Sequence, residues 1–172
     1  MTLRIVSGGQ TGVDRAALDA ALEADVPCGG WCPRGRESED GPIPSRYPLR
    51  ETPDASPERR TAWNVRDSDG SLVLARGRLR GGTRRTVEGA RALGRPLRVV
   101  DLSAGPEVSA TRAWLRAEGI QVLNVAGPRE SEEPGITEAA RPFLQALLAP
   151  AEPSFPVGND DPSGAPHTES SG

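Results

Sequence analysis

A glycine-rich segment near the start of the sequence, Ser7–Leu18, reads SGGQTGVDRAAL and lies between an apolar run and a helical pattern. Its glycines leave backbone N–H groups open to an anion, because glycine has no Cβ to obstruct the approach. The helix that follows points the positive end of its dipole at the same loop. The segment therefore predicts a phosphate-binding loop, with a tight turn that holds no ligand as the alternative; its residues are Gly8, Gly9, Gln10, Thr11 and Gly12.

The same loop carries two further signals. Thr11 and Asp14 have the spacing of a capping box at the start of a helix. The glycine spacing GGxxG differs from the GxGxxG of dinucleotide-binding proteins, and no acidic residue ends a clear second strand to hold a ribose. An ordinary NAD site is therefore not predicted.

A second glycine loop, RGGT at Arg80–Thr83, follows the apolar run SLVLA and begins another helical pattern. Because the carboxyl ends of parallel strands meet at one edge of a sheet, we expect the two loops to converge on one crevice. Gly81, Gly82 and Thr83 are its predicted phosphate contacts. Neighbouring arginines could add bidentate contacts to phosphate or form an ordinary solvated face; they are Arg78, Arg80, Arg84 and Arg85.

Further candidates lie between the two loops. Trp31 could stack on a planar ring or close the edge of the core, and Arg34 and Arg36 could pair with anions. Together with Glu39 and Asp40 they suggest a lid over a flat heterocycle. In the segment NVRDSD, which precedes SLVLA, Asp67 and Ser68 could hold hydroxyl or amino groups of a ligand, or cap a turn.

Several kinds of chemistry are excluded. All 21 basic residues are arginine, which rules out a lysine-based Walker A motif and Schiff-base chemistry. Cys28 and Cys32 are the only cysteines, and the only histidine, His167, lies in the predicted tail, so neither a zinc site nor imidazole catalysis is expected. The Cys-x3-Cys spacing also differs from that of a redox pair. We expect no metal, and thiols used for packing or ligand contact.

The composition is that of a soluble globular protein, with 35% apolar and 26% charged residues. A formal charge of -3 provides no field that would gather nucleic acid or anionic lipid. No signal peptide or bilayer-length apolar run is apparent. These observations predict a cytoplasmic protein with neither a nucleic-acid nor a membrane partner.

The elements that must position these residues alternate between strands and helices. Strands are predicted at Leu3–Val6, Ser71–Ala75, Leu97–Leu102 and Ile120–Gly127, with a weaker one at Val26–Trp31. Helices are predicted at Asp14–Ala24, Thr83–Gly94, Ser109–Gly119 and Gly135–Ala149. This order predicts an α/β fold, a Rossmann-like three-layer α/β/α sandwich with a mainly parallel sheet of about five strands.

The domain organisation follows from composition. Residues 1–149 are predicted to form a single Rossmann-like ligand-binding domain, interrupted by a proline-rich irregular insert at about residues 32–66. Residues 150–172 are rich in Pro, Gly, Ser, Asp and Glu and are predicted to be a disordered tail.

Four segments taken together resemble the molybdenum carrier family, a Rossmannoid group related to LOG and lysine-decarboxylase-like proteins. They are SGGQTGVDRAALDAAL, GGWCPRGRESEDGPIPSRYPLRET, TAWNVRDSDGSLVL and GGTRRTVEGARALGRP, and the likeness runs from Leu3 to Ala149. The resemblance implies a carrier for the molybdenum cofactor, a phosphorylated pterin dithiolene. It places the phosphate on the two glycine loops, and related proteins commonly form dimers, so it also implies a homo-oligomer.

An enzymatic alternative comes from the same resemblance. LOG-type enzymes cleave the N-glycosidic bond of nucleoside monophosphates and carry the motif PGGxGTxxE, whereas this chain has LRGGTRRTVE, with Glu88 five residues after Thr83. Glu88 or Asp69 would then stabilise an oxocarbenium-like centre. A nucleotide-sensing module is a third interpretation. No nucleophile with an activating base is evident, so the sequence favours binding over turnover.

Overall fold

The computed structural model describes residues 2–150. In chain order its strands and helices are β1 (Arg4–Val6), α1 (Val13–Glu23), β2 (Cys28–Gly29), β3 (Trp31–Cys32), β4 (Glu37–Ser38), β5 (Gly41–Pro42), β6 (Arg50–Glu51), α2 (Pro57–Arg66), β7 (Gly70–Ala75), α3 (Gly81–Ala92), β8 (Leu97–Asp101), a 3-10 turn (Leu102–Ala104), α4 (Val108–Ala117), β9 (Val122–Ala126) and α5 (Ile136–Leu148). Residues 151–172 of the predicted tail, His167 among them, lie outside the described residues.

Five strands form one parallel sheet in the order β2-β1-β9-β7-β8. The strand β7 is buried along its whole length, as expected of a sheet covered on both faces. The steps from β1 to β2 and from β7 to β8 run in opposite directions, so right-handed crossovers place α1 and α3 on opposite faces. Helix α1 packs against α5, and α2 packs against α3. The prediction of a Rossmann-like three-layer sandwich is confirmed.

The strand order has a simple relation to the doubly wound sheet of nucleotide-binding proteins. If β9 is counted first and β1, β2, β7 and β8 follow, the order across the sheet becomes 3-2-1-4-5. The direction of winding then reverses between β9 and β7. Ligands of such sheets bind beyond the carboxyl ends of the strands at this switch point, so the loops after β9 and β7 are where a ligand site is expected.

The main core joins the sheet to α1 and α5. Ile5, Leu72 and Leu123 of the sheet are fully buried. Helix α1 turns small residues towards this core, among them Ala17 and Ala20, and α5 contributes Leu144. Small side chains on α1 allow close helix packing, which suits a core that contains few aromatic residues.

The insert contains more regular structure than the sequence predicts. Strands β3 and β6 pair in parallel, and β4 and β5 form an antiparallel hairpin. The insert ends in helix α2, where the Ser56 hydroxyl accepts a hydrogen bond from the Arg59 N–H (3.2 Å) and Pro57 occupies the first turn. Serine followed by proline is a helix-start signal. A second apolar cluster fixes the insert to α1; its buried members are Leu18, Cys32, Ile43 and Tyr47.

Across residues 2–150, no helix is both long enough and apolar enough to cross a bilayer.

Candidate functional site

A cavity of about 300 Å³ opens beside the carboxyl ends of β7 and β9, at the switch point of the sheet. We call it the switch-point cavity. Its walls come from the first turns of α2 and α3, from the loop after β9, and from two residues near the start of α1, Gln10 and Asp14. Cavities of this size are at the lower end of those that hold small ligands.

The N-terminus of α3 forms one wall of this cavity through Gly81, Gly82 and Thr83. No side chain of residues 2–150 caps this helix. The first hydrogen bond of the helix runs from the backbone N–H of Arg84 to the carbonyl oxygen of Arg80 (3.2 Å). The N–H groups of Gly82 and Thr83 come before it and therefore have no acceptor within the helix. Thr83 as a whole residue is only 3% exposed, and its hydroxyl, which makes no hydrogen bond within residues 2–150, keeps some accessible surface. This end of α3 therefore presents unused donors and a positive dipole end to the cavity.

Every arginine that lines the cavity is paired with a carboxylate that also lines it. The pairs and their N–O distances are Arg60–Asp14 (3.0 Å), Arg85–Glu58 (3.2 Å) and Arg129–Glu132 (2.5 Å). These side chains contribute no net charge. An anion would therefore be attracted mainly by the helix terminus, while the carboxylates can accept hydrogen bonds from amino or hydroxyl groups.

The Asp14–Arg60 pair is the most buried of the three, with the Asp14 side chain only 6% exposed and that of Arg60 16% exposed. Burial raises the pKa of Asp14, and Coulombic attraction to Arg60 opposes part of that rise. The Nε of Arg60 is buried and has no hydrogen-bond partner among residues 2–150. Arg60 as a residue lines the cavity, but this nitrogen is buried beneath the surface.

The first glycine loop is packed beneath its neighbours. A Cβ on Gly8 would lie 1.8 Å from Nη1 of Arg60, and a Cβ on Gly9 would lie 2.5 Å from Cδ1 of Leu49. Gly12 has a φ of 85°, and a Cβ there would lie 2.2 Å from the Pro128 carbonyl oxygen. These glycines allow the insert and the loop after β9 to approach closely.

The predicted capping box at the start of α1 is wrong. The helix begins after Gly12 without a side-chain cap. The Asp14 carboxylate instead accepts from the Gln10 N–H (3.3 Å) and from Arg60, and the Thr11 hydroxyl accepts from the Glu130 N–H (3.2 Å). Of the predicted loop residues, Gln10 is the one that lines the switch-point cavity.

The hairpin of β4 and β5, predicted as part of a lid, is fixed to the start of α1. Asp40 accepts two hydrogen bonds from Arg15 (2.7 and 2.8 Å), and these hold the pKa of Asp40 at about 2. Glu39 accepts hydrogen bonds from the hydroxyls of Thr11 and Ser131. Burial acts to raise the pKa of Glu39, but these hydrogen bonds and other contacts lower it overall. Neither Glu39 nor Asp40 lines the switch-point cavity.

Trp31 and Asp67 contact each other away from the cavity. The indole Nε1 donates to the Asp67 carboxylate (2.7 Å), and the hydrogen bond from Arg66 is the largest cause of the lowered pKa of Asp67. The guanidinium of Arg50 lies 4.7 Å from the centroid of the Trp31 ring. Trp31 thus joins the insert to α2 rather than facing the cavity.

The Arg36 side chain holds the insert together by binding backbone carbonyl oxygens. Arg34, in contrast, is exposed. The Arg36 guanidinium donates to four carbonyl oxygens, those of Ile43 (3.2 Å), Pro44 (2.8 Å), Tyr47 (3.0 Å) and Leu49 (3.3 Å). Arg34 donates its backbone N–H to the carbonyl of Asp54 (2.9 Å). Neither residue lines the switch-point cavity.

Ser68, Asp69 and Glu88 also lie outside the cavity, whereas Arg85 of the predicted arginines lines it. The buried Ser68 hydroxyl donates to the Asn64 carbonyl (2.6 Å). Asp69 precedes β7, at the opposite edge of the sheet, and accepts from the N–H groups of Gln121 and Val122. Glu88 is exposed on α3 and pairs with Arg84 (2.9 Å).

The sequence interpretation did not single out the cavity-lining residues Asp14, Arg60, Gly127, Arg129 and Glu132 as candidate site residues. Two signals could have found some of them. Gly127 is the last residue of a predicted strand, and a Cβ there would lie 2.3 Å from the Leu74 carbonyl oxygen. Asp14 is an acidic residue on the buried face of a helix, which calls for a partner. Arg60 lies on α2, so it could have been found only if that helix had been predicted.

The two cysteines are not part of the cavity. Burial raises the pKa of both the Cys28 and the Cys32 thiol, which disfavours the reactive thiolate. Within residues 2–150, no group of three or more His, Cys, Asp or Glu side chains could hold a metal ion.

Comparison with known proteins identifies relatives of the whole fold. A family model described as "Circularly permutated YpsA SLOG family" matches residues 5–148. A crystal structure from Syntrophus aciditrophicus SB, described as "Putative molybdenum carrier protein", is 42% identical, covers 86% of this chain and 96% of that chain, and superposes with a TM-score of 0.81. No curated protein matches the chain. A circular permutation agrees with a strand order that becomes 3-2-1-4-5 when β9 is counted first.

Proposed function

The chain belongs to the circularly permuted YpsA family of SLOG proteins, and from that premise we propose that it is a binding or carrier protein for a small phosphorylated ligand. The ligand occupies the switch-point cavity. The observation that carries the proposal is the uncapped N-terminus of α3, which brings Gly81, Gly82 and Thr83 to the cavity wall. Helix N-termini at the carboxyl edge of a parallel sheet are favourable phosphate sites.

Arg60 supports this placement from the opposite wall. Its pairing with Asp14 uses Nη1, so the other terminal nitrogen of the guanidinium could donate to an anion in the cavity. The first glycine loop then has an indirect role. Gly8 leaves the space that Arg60 occupies, and Gln10 reaches the cavity from the same loop.

We propose a phosphorylated pterin, such as the molybdenum cofactor, as the cargo. A protein 42% identical to this chain is described as a molybdenum carrier. The phosphate would lie at α3, and Glu58 or Glu132 would accept hydrogen bonds from ring amino groups. No aromatic side chain from residues 2–150 lines the cavity, so the ring would rest on arginine guanidinium planes and Pro57.

The test is binding of molybdopterin and of inorganic phosphate to the Gly82→Asp variant. Gly82 has room for a Cβ, whose nearest neighbour would be the Thr61 hydroxyl at 3.9 Å. An acidic residue in the first turn is favourable for a helix, so the variant folds but repels phosphate. The matched control is Gly89→Asp, further along α3, where a Cβ also meets only ordinary contacts.

We expect Gly82→Asp to lower the affinity for both ligands at least about tenfold, equivalent to about 1.4 kcal/mol, as measured by calorimetry. Gly89→Asp should bind like the wild type. Equal affinity of the two variants for phosphate would contradict the site. Phosphate binding that is sensitive to Gly82→Asp, with no binding of molybdopterin, would keep the site and reject the pterin.

One observation favours a second function, hydrolysis of the N-glycosidic bond of nucleoside monophosphates. Three carboxylates line the cavity, those of Asp14, Glu58 and Glu132, and a carboxylate beside a sugar can stabilise an oxocarbenium-like centre. Incubation with a panel of nucleoside monophosphates tests this function. Release of free base that is lost in Glu58→Gln or Glu132→Gln would favour the enzyme, and no turnover would remove it. Self-association and a cytoplasmic location stay predictions.

A further inference from the structure

A second cavity of about 380 Å³ adjoins the switch-point cavity. We call it the arginine cavity, because the loop after β7 lines it with Arg76, Arg78 and Arg80. The opposite wall comes from the segment between β9 and α5, including Pro128 and Glu133. Neither the family resemblance nor the proposed carrier function places a ligand group in this cavity.

The two cavities share walls. Glu132 lines both of them. Arg80 lines the arginine cavity and Gly81, the next residue, lines the switch-point cavity. Consecutive Cα atoms are about 3.8 Å apart, so an anion bound at the start of α3 is within one residue of the second cavity. Two phosphoryl groups joined by one bridging oxygen could therefore occupy both cavities.

The charges of the two cavities differ. In the switch-point cavity each arginine has a carboxylate partner. In the arginine cavity, Arg76 pairs with Glu133 (3.7 Å), but Arg78 and Arg80 form no ion pair or side-chain hydrogen bond with any residue between 2 and 150. Glu132, the other carboxylate of this cavity, is already engaged by Arg129. Cationic side chains without a partner therefore remain available here.

We propose that the arginine cavity is a second anion subsite, and that the natural ligand carries two linked anionic groups, as a diphosphate does. This inference rests on the proposed phosphate site at the start of α3. The first group binds there, and Arg78 and Arg80 bind the second with the fork geometry that suits phosphate oxygens. The phosphorylated pterin proposed above would then carry a diphosphate rather than a single phosphate.

The experiment compares inorganic phosphate with inorganic pyrophosphate by calorimetry at fixed ionic strength without divalent cations. Three proteins are measured: the wild type, Arg78→Gln/Arg80→Gln, and the control Arg91→Gln/Arg116→Gln. The control removes the same charge from two exposed arginines that make no side-chain hydrogen bond or ion pair within residues 2–150. It corrects for the general attraction of a more highly charged ligand.

We expect the wild type and the control to prefer pyrophosphate at least about tenfold, and Arg78→Gln/Arg80→Gln to lose that preference while its phosphate affinity changes less than about threefold. A preference that persists in this variant would overturn the second subsite. If phosphate still binds and Gly82→Asp abolishes that binding, the proposed function survives such a result. Failure of both ligands to bind the wild type would overturn the second subsite and the proposed function together.

Discussion

The two glycine loops have similar sequences and different surroundings. The first, Ser7–Gly12, follows β1 and lies beneath Arg60, Leu49 and Ile43. The second, Arg80–Thr83, follows β7 and faces the switch-point cavity. Glycine allows the close approach of other protein groups in the first loop and leaves backbone donors uncovered in the second. The comparison teaches that a glycine-rich turn after a parallel strand indicates that some group lies close to its backbone. Whether that group is another part of the protein or a ligand depends on the rest of the chain.

The largest expected effect comes from Arg60, which links the two loops by lying over Gly8 and lining the cavity. Arg60→Ala leaves the buried Asp14 carboxylate without its partner. Removing one member of a buried ion pair costs about 3–5 kcal/mol. Urea unfolding should show a loss of this size. A double variant, Arg60→Ala/Asp14→Asn, should recover part of it, and a loss equal to the sum of the single variants would contradict the coupling.

Alanine substitution in each loop sharpens the contrast. Gly12→Ala forces a Cβ towards the Pro128 carbonyl at a backbone φ of 85° and should destabilise the protein by about 2–3 kcal/mol. Gly82→Ala meets only ordinary contacts and should change the free energy of unfolding by less than about 1 kcal/mol, in the stabilising direction. Chemical denaturation measures both. Similar losses at the two positions would refute the distinction between a covered and an open loop.

Thr83 separates binding from stability within the second loop. Thr83→Val removes a hydroxyl that has no partner within residues 2–150, so the unfolding free energy should not fall. Phosphate affinity should fall about three- to tenfold, as expected for one lost hydrogen bond to a charged ligand. Thr86→Val is the control, since its hydroxyl donates to the Gly82 carbonyl (3.0 Å). A Thr83→Val protein that is less stable but binds phosphate normally would contradict the role assigned to this hydroxyl.

The smallest expected effect concerns the hairpin that is fixed beside the first loop. Hydrogen bonds from Arg15 hold the folded-state pKa of Asp40 at about 2, below its ordinary value of 3.8. The carboxylate therefore stabilises the folded state above about pH 4, and this contribution is lost as the pH falls towards 2. The Asp40 side chain is half exposed, so Asp40→Asn should cost under about 1 kcal/mol at pH 7.

Unfolding of the wild type and of Asp40→Asn between pH 2 and pH 7 measures this difference. The two stability curves should converge as the pH falls. A difference that grows on acidification would contradict the assigned ion pair.

Most of the fold could be predicted from the sequence, since β7, β8 and β9 are mainly apolar runs and α1, α3 and α5 have clear helical periodicity. Helix α2 was missed because its mean hydropathy is low and the preceding prolines suggested a loop. The start signal at Ser56 and Pro57 was nevertheless present.

The candidate site could be predicted only in part. The start of α3 was identified from RGGT, because a glycine pair after a strand and before a helix has a direct physical meaning. The covering of the first loop could not be inferred from its own residues. It depends on Ile43, Leu49 and Arg60, more than thirty positions along the chain. For Trp31 the sequence leaves ring stacking and closure of the core edge as alternatives, because its partner, Asp67, lies just as far away in sequence.

The central claim is that phosphate binds the amide groups at the start of α3 and not those of the first loop. Titration of the ¹⁵N-labelled protein with inorganic phosphate, followed by amide NMR, tests it most directly. We expect the Gly81, Gly82 and Thr83 resonances to move along one saturable curve while those of Gly8 and Gly9 stay unchanged. Saturable shifts at Gly8 and Gly9 with stationary α3 resonances would contradict the account.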